Sequence, residues 1–252
     1  MLMSARADRL QADHHPEAIR SRLGEDYVHS YLGDAVLGAM DGCVTTFAVV
    51  AGAVGAGFPK FVAIIMGMAN LVADGFSMAV GNYQGTKSQR ELVDKARAME
   101  ERHIDEIPDG EREEIRQIFG LKGFKGEVLE QIVDVITSDR SLWVETMLRE
   151  ELGLQVEGAR PLTAAVSTFV AFLAVGFLPL VPFLIRPLTL QVTFAVSSVI
   201  TAIAFFGVGV LKGRETERPQ FKSGMETLLT GGAAAILSYA IAFLLQNVFG
   251  TY

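Results

Sequence analysis

The chain has 252 residues, 50% hydrophobic and 20% charged, with a mean hydropathy of +0.33. Its net charge of −7 and isoelectric point near 5.2 argue against a nucleic-acid partner. The single cysteine, Cys43, lies in an apolar run and excludes a disulfide framework or a cysteine zinc site. Charge is segregated, with long apolar runs alternating with one dense polar block. That is the pattern of a membrane protein rather than a large soluble domain.

Residues 1–30 are polar, carry both charge signs and have no apolar core. They form a tail rather than a cleavable signal peptide, so the first span directs insertion. His14 and His15 are adjacent and do not share a helix face, which favours a solvated tail over a metal site.

The first apolar run, 31–57, is long enough to span a membrane. Asp34 and Asp41 lie seven residues apart, two turns along one stripe. Asp34 reads equally as an interfacial carboxylate; Asp41 is deeper, where a carboxylate is costly and marks function. Gly38 and Gly42 make a GxxxG step that permits close helix approach.

The second run, 61–83, carries Asn70, Asp74 and Met78. Asp74 and Met78 are four apart and share a helix face. No breaker follows, so the spacing predicts one long helix that leaves the membrane and ends at Ile107-Pro108.

Residues 87–160 form the polar block, with 18 Asp/Glu and 12 Lys/Arg. Ile115, Ile118, Phe119, Val128, Leu129, Ile132, Val133, Ile136, Leu142, Met147 and Leu148 recur at helical spacing. Gly120, Gly123 and Gly126 punctuate a loop, and Ser138-Asp139 signals a helix start. A small helical domain is expected, leaning on the emergent helix or on a second copy. Three further apolar runs follow at 161–185, 188–211 and 224–249, with Pro179 and Pro182 near the end of the first, Pro187 before the second and a polar connection at 212–223.

The expected fold class is therefore an all-α integral membrane protein. Five transmembrane helices carry a small cytoplasmic helical domain inserted between spans two and three. The expected boundaries are a tail over 1–30, spans one and two over 31–86, the helical domain over 87–160, and spans three to five over 161–252. Of 22 Lys/Arg, 20 fall in the tail, the block and the 212–223 connection, leaving only Lys60 and Arg186 in the short turns. The positive-inside rule then puts the N-terminus and helical domain in the cytoplasm and the C-terminus outside.

Within the block, Glu100 and His103 are three apart, Glu111 and Glu114 three apart, and Met147 and Glu151 four apart. Each pair shares a helix face. Carboxylates with an imidazole and a thioether suit Fe²⁺ or Mn²⁺ better than Ca²⁺. The competing reading is a solvated acidic face, which is the expectation for Glu101, Asp105, Glu106, Glu113 and Glu150. Glu100-x-x-His103 also spells the Glu-x-x-His of di-iron bundles, but such a site needs two of these motifs and two more Glu on four long helices, and the block holds one motif in about 70 residues. No phosphate-binding loop of the Walker type is present, so transport would run on a gradient. Asp41 and Asp74 could bind a cation and release it on protonation.

Three features together resemble the vacuolar iron transporter family. They are Gly38-Ala-Met-Asp41-Gly42, the stretch Ala73-Asp74-Gly75-Phe76-Ser77-Met78-Ala79-Val80-Gly81-Asn82-Tyr83 with Lys87-Ser88, and a five-span plan whose acidic block ends in Arg149-Glu150-Glu151-Leu152-Gly153-Leu154. The resemblance covers about 30–249 and implies a homodimer exporting Fe²⁺ or Mn²⁺ from the cytoplasm in exchange for protons. It implies an ion path between protomers through Asp41 and Met78, with Asp34 nearer the cytoplasmic mouth. It further implies metal binding by Glu100, Glu111, Glu114, Met147 and Glu151. The chain departs from the family pattern at Asn70, where plant members carry glutamate, and at His103, Leu148 and Ser30.

The expected function is proton-coupled export of Fe²⁺ or Mn²⁺ by a secondary transporter, not an enzyme, with no permanently bound cofactor. Expected partners are divalent metal ions, protons, membrane lipid and a second copy of the chain. The expected location is a bacterial inner membrane. A metal-responsive sensor or scaffold without transport is the alternative; it accounts for the acidic block but not for Asp41 and Asp74.

Overall fold

The computed structural model describes residues 12, 14–24, 29–185 and 188–249. Arg186, Pro187, most of the tail before His14 and residues 250–252 lie outside the described residues. The chain forms two compact units, one up to Ser30 and one from Tyr31 onward. In the first, His14 and His15 precede helix α1 (Pro16–Gly24).

The second unit holds α2 (Leu32–Gly55), α3 (Lys60–Glu106), α4 (Pro108–Leu121), α5 (Gly126–Ser138) and α6 (Arg140–Thr146). A π-helical turn (Met147–Glu151) follows, then α7 (Pro161–Gly176), a 3-10 turn (Leu178–Leu180), α8 (Val181–Leu184), α9 (Leu190–Glu215) and α10 (Gln220–Phe249). Among the described residues, five helices or helix pairs are long and apolar enough to cross a membrane: α2, α3, α7 with α8, α9 and α10.

Helix α2 is the hub and packs against α3, α7, α9 and α10. Its small residues allow this. A Cβ on Gly38 would lie 2.2 Å from the Thr168 carbonyl oxygen, and one on Gly42 2.4 Å from that of Phe172. The GxxxG step thus seats α7 inside the same chain. By contrast, a Cβ on Gly81 or Gly85 would meet nothing within 4 Å.

The third span is one apolar run but not one helix. Pro179 and Pro182 remove backbone donors, and the chain passes through a 3-10 turn and a short helix instead. The buried Ser197 hydroxyl of α9 donates to the Pro179 carbonyl at 2.6 Å, giving that acceptor a partner at the break. On the same edge, Lys60 Nζ donates to the carbonyls of Ile185 (3.0 Å) and Leu188 (2.9 Å), tying the start of α3 to the next connection. The connection expected over 212–223 is shorter, because α9 runs to Glu215 and α10 starts at Gln220. Lys212 to Glu215 contain no residue that breaks a helix more strongly than Gly213, and Pro219 marks the stop.

Helix α3 has 47 residues, about 70 Å at 1.5 Å per residue. It ends where the sequence predicts, with Pro108 at the first position of α4. Beyond the apolar part of α3, helices α4 to α6 and the π turn enclose a core of Ile104, Ile115, Val133, Ile136, Trp143, Val144, Met147 and Leu148. Asp139 caps α6, its carboxylate accepting from the Ser141 and Leu142 amides at 2.9 and 3.2 Å. Val128 and Leu142, which share the helical spacing of these residues, are exposed; Leu129 and Ile132 pack against the core.

Candidate metal centre and ion path

Glu100 and His103 stand one turn apart on α3. Pro108 breaks the helix, and α4 returns with Glu111 in its first turn. One ligand atom from each of the three lies within 4.8 Å of the others. His103 Nδ1 is 3.3 Å from Glu111 Oε1. Glu100 and Glu111 are each only 1% exposed, and Oε2 of each is buried without a hydrogen-bond partner. Nearby arginines and lysines pair elsewhere: Arg116 with Glu113 and Glu130, Arg112 with Asp134, Arg140 with Asp105 and Lys122 with Glu150. Asp105, Glu113 and Glu150 are thus exposed, ion-paired charges, in keeping with the solvated reading.

Burial pushes the Glu111 carboxyl up to about 7, with the charges of Glu114 and Glu100 adding to the rise and His103 opposing it. Glu151 and Glu114 are exposed at the edge of this group; partial burial still raises the Glu151 carboxyl, reinforced by Glu114 and Glu100. Five of the six expected ligands, Glu100, His103, Glu111, Glu114 and Glu151, therefore act on one another. The sixth, Met147, is fully buried in the adjoining apolar core. Met147 and Glu151 bound a π turn closed by the Leu152 amide on the Met147 carbonyl, with Gly153 at φ 62° behind it. Sequence spacing gave no sign of that widened turn, a form that recurs at functional sites.

In the membrane region α2 and α3 are antiparallel neighbours. The Asn82 amide of α3 donates to Asp34 Oδ1 of α2 at 2.7 Å and to Thr168 Oγ1 of α7 at 2.7 Å. Deeper, the Asp74 carboxylate lies close enough to that of Asp41 to act on it. The two rungs agree in register: seven residues separate Asp34 from Asp41 and eight separate Asp74 from Asn82, about 10 and 12 Å of helix. Met78 sits between the rungs on α3 and packs against the apolar cluster that contains Phe172 and Leu71. Asn70 continues the face, with a buried Nδ2 that has no partner.

Asn82 and Thr168 were not among the expected site residues. Asn70, Asp74, Met78, Asn82 and Thr86 recur every four residues, so the ladder itself pointed to Asn82. Thr168 has no such signal, since its role comes from the packing of α7 on α2.

These features define a multi-pass α-helical membrane protein with an acidic cluster, of a geometry that could hold a metal ion, on the extension of its second span. Comparison with known proteins agrees. The VIT family pattern matches residues 32–243. Vacuolar iron transporter 2 of Oryza sativa subsp. japonica is 32% identical over 216 residues, 85% of this chain and 87% of the relative. The vacuolar iron transporter of Toxoplasma gondii is 31% identical over 87% of this chain and 76% of its own length, and vacuolar iron transporter 1 of Arabidopsis thaliana is 29% identical over 93% and 92%. The chain belongs to the VIT family.

Proposed function

We propose that this protein carries Fe²⁺, with Mn²⁺ as a second cargo, out of the cytoplasm in exchange for protons. The observation that carries the reading is the pair of buried, unpartnered carboxylate oxygens of Glu100 and Glu111 converging with the His103 imidazole. Buried carboxylate oxygens without a hydrogen-bond partner are expensive. A divalent cation offsets that cost, and a mixed oxygen and nitrogen set suits Fe²⁺ or Mn²⁺. The relatives' names point to iron.

In this reading the helical segment over 87–160 is a cytoplasmic domain that captures the ion, with Glu114, Met147 and Glu151 supporting the triad. The ion then passes Asp34 and reaches Asp41, Asp74 and Met78. The protein works as a homodimer in a bacterial inner membrane, with its N-terminus inside and its C-terminus outside.

The test is Fe²⁺ and Mn²⁺ flux into proteoliposomes of purified protein, with and without a pH gradient. Flux that rises with the gradient is the expected result. Flux indifferent to the gradient removes the proton exchange, and no flux in folded protein removes the transport reading.

A further inference from the structure

We propose that Asn82 is the positioning residue at the mouth of the ion path, holding one carboxylate oxygen of Asp34 and leaving the second for the ion. The inference rests on the transport reading and assigns a role to a residue outside its ligand set. Asn82 Nδ2 reaches Asp34 Oδ1 and Thr168 Oγ1, each at 2.7 Å. Its carbonyl oxygen accepts from Thr86 Oγ1 at 3.4 Å, and Thr168 Oγ1 donates onward to the Asp34 backbone carbonyl at 3.3 Å. Both sides of the amide are therefore engaged, which fixes its rotamer.

Two features make this more than a tie between helices. First, the donor is neutral. A lysine or arginine at position 82 would hold Asp34 equally well but would cancel the charge that attracts a cation. An amide orients the carboxylate and leaves its charge intact. Second, the anchor is rigid. Thr168 sits where α2 and α7 touch backbone to backbone, since a Cβ on Gly38 would fall 2.2 Å from its carbonyl oxygen. Asn82 thus references Asp34 to a fixed point on α7. It also stands on the helix that bears Glu100, 18 residues further on, about 27 Å along the axis. An ion leaving the Glu100 cluster along α3 meets the held carboxylate on its way to Asp41.

The experiment is Fe²⁺ flux into proteoliposomes as a function of Fe²⁺ concentration, using full-length wild type, Asn82→Leu, Asn82→Gln and Thr168→Val. Leucine keeps the branching and heavy-atom count of asparagine, with somewhat bulkier methyl groups, and loses the hydrogen bonds. Asn82→Leu is expected to raise the half-saturating concentration about tenfold while the maximal rate stays within about twofold, the size expected for a lost bond to a charged group. Asn82→Gln keeps the amide and recovers most of the loss; Thr168→Val moves the same way as leucine by a smaller factor. If Asn82→Leu does not fold, glutamine against Thr168→Val carries the comparison. An unchanged half-saturating concentration, or a loss of maximal rate alone in step with lowered thermal stability, overturns the proposal and leaves Asn82 a helix tie. Wild type without flux overturns the transport reading and this inference together, whereas wild-type flux with insensitive Asn82 variants overturns only the inference.

Discussion

His103 Nδ1 of α3 faces Glu111 Oε1 of α4 at 3.3 Å, across the break made by Pro108. Neither helix alone holds the two groups together; the break does. Removing one member of the pair tests the proposed cation capture apart from folding. Glu111→Gln is expected to weaken Fe²⁺ or Mn²⁺ binding by the full-length protein well over tenfold, since even outer partners of metal ligands cost about 10–100-fold. The same change removes a buried charge, so the metal-free protein gains or keeps thermal stability. Equilibrium metal binding and thermal unfolding in detergent, each with and without chelator, check the two halves. Unaltered affinity would place the ion elsewhere.

The pH dependence follows from the same carboxyl. Glu111 is raised from 4.5 to about 7 by burial, with Glu114 and Glu100 adding to the effect. Between those values the folded chain binds a proton that the unfolded chain has lost. Its contribution to stability is thus fully present below pH 4.5 and disappears as pH rises to about 7. Metal-free protein should therefore lose stability over that window, and Glu111→Gln should flatten the loss. Metal affinity should run the opposite way, rising with pH as the ion no longer competes with the proton. Melting temperature and metal titration across the window, on wild type and Glu111→Gln, decide both signs.

The seam between α2 and α7 gives a third prediction. Gly38→Ala and Gly42→Ala each drive a methyl group into a backbone carbonyl, at 2.2 and 2.4 Å. Overpacking of this kind costs about 1–3 kcal/mol, and more where backbone cannot yield. Gly81→Ala and Gly85→Ala meet open space within the chain, and alanine improves helix propensity by about 1 kcal/mol. Thermal unfolding in detergent should show the first pair destabilised and the second neutral or better. Sizing of the second pair by light scattering adds the oligomer: a shift to monomer would place the open glycine face of α3 at the contact between two copies.

Much of this molecule was legible because membrane and water impose coarse, repeating demands. The five apolar runs, the uninterrupted extension of α3, the stop at Pro108 and the Asp139 cap all follow from hydropathy, breakers and capping. The pairs Glu100/His103 and Glu111/Glu114 were legible as shared helix faces, but the convergence of Glu100, His103 and Glu111 was not, because it depends on how α4 folds back at Pro108. The partner of the Gly38/Gly42 step was equally hidden. The motif announces a close approach without saying to which helix, and the structure assigns it to α7. Thr168 and the π turn at Met147–Glu151 arise from packing and register, which carry no pattern in a single chain.

The deepest rung carries the last prediction. Asp41 of α2 lies within electrostatic reach of Asp74 of α3, one turn before Met78. Two carboxylates in a membrane repel unless a cation or a proton lies with them, so the proposed exchange would have the pair hold one or the other. Asp41→Asn is expected to abolish Fe²⁺ flux in proteoliposomes. Asp74→Asn leaves one carboxylate, and should cut flux at least about tenfold, a loss of 1.4 kcal/mol or more at the barrier, and remove the response to an imposed pH gradient. Met78→Ala takes away a soft ligand but no charge, so it should lower Fe²⁺ flux more than Mn²⁺ flux, because thioether sulfur favours the softer ion. Equal losses for both ions would make Met78 a packing residue. Gradient-dependent flux surviving in Asp74→Asn would move proton exchange to another group, leaving Asp41 as the deep carboxylate of the path.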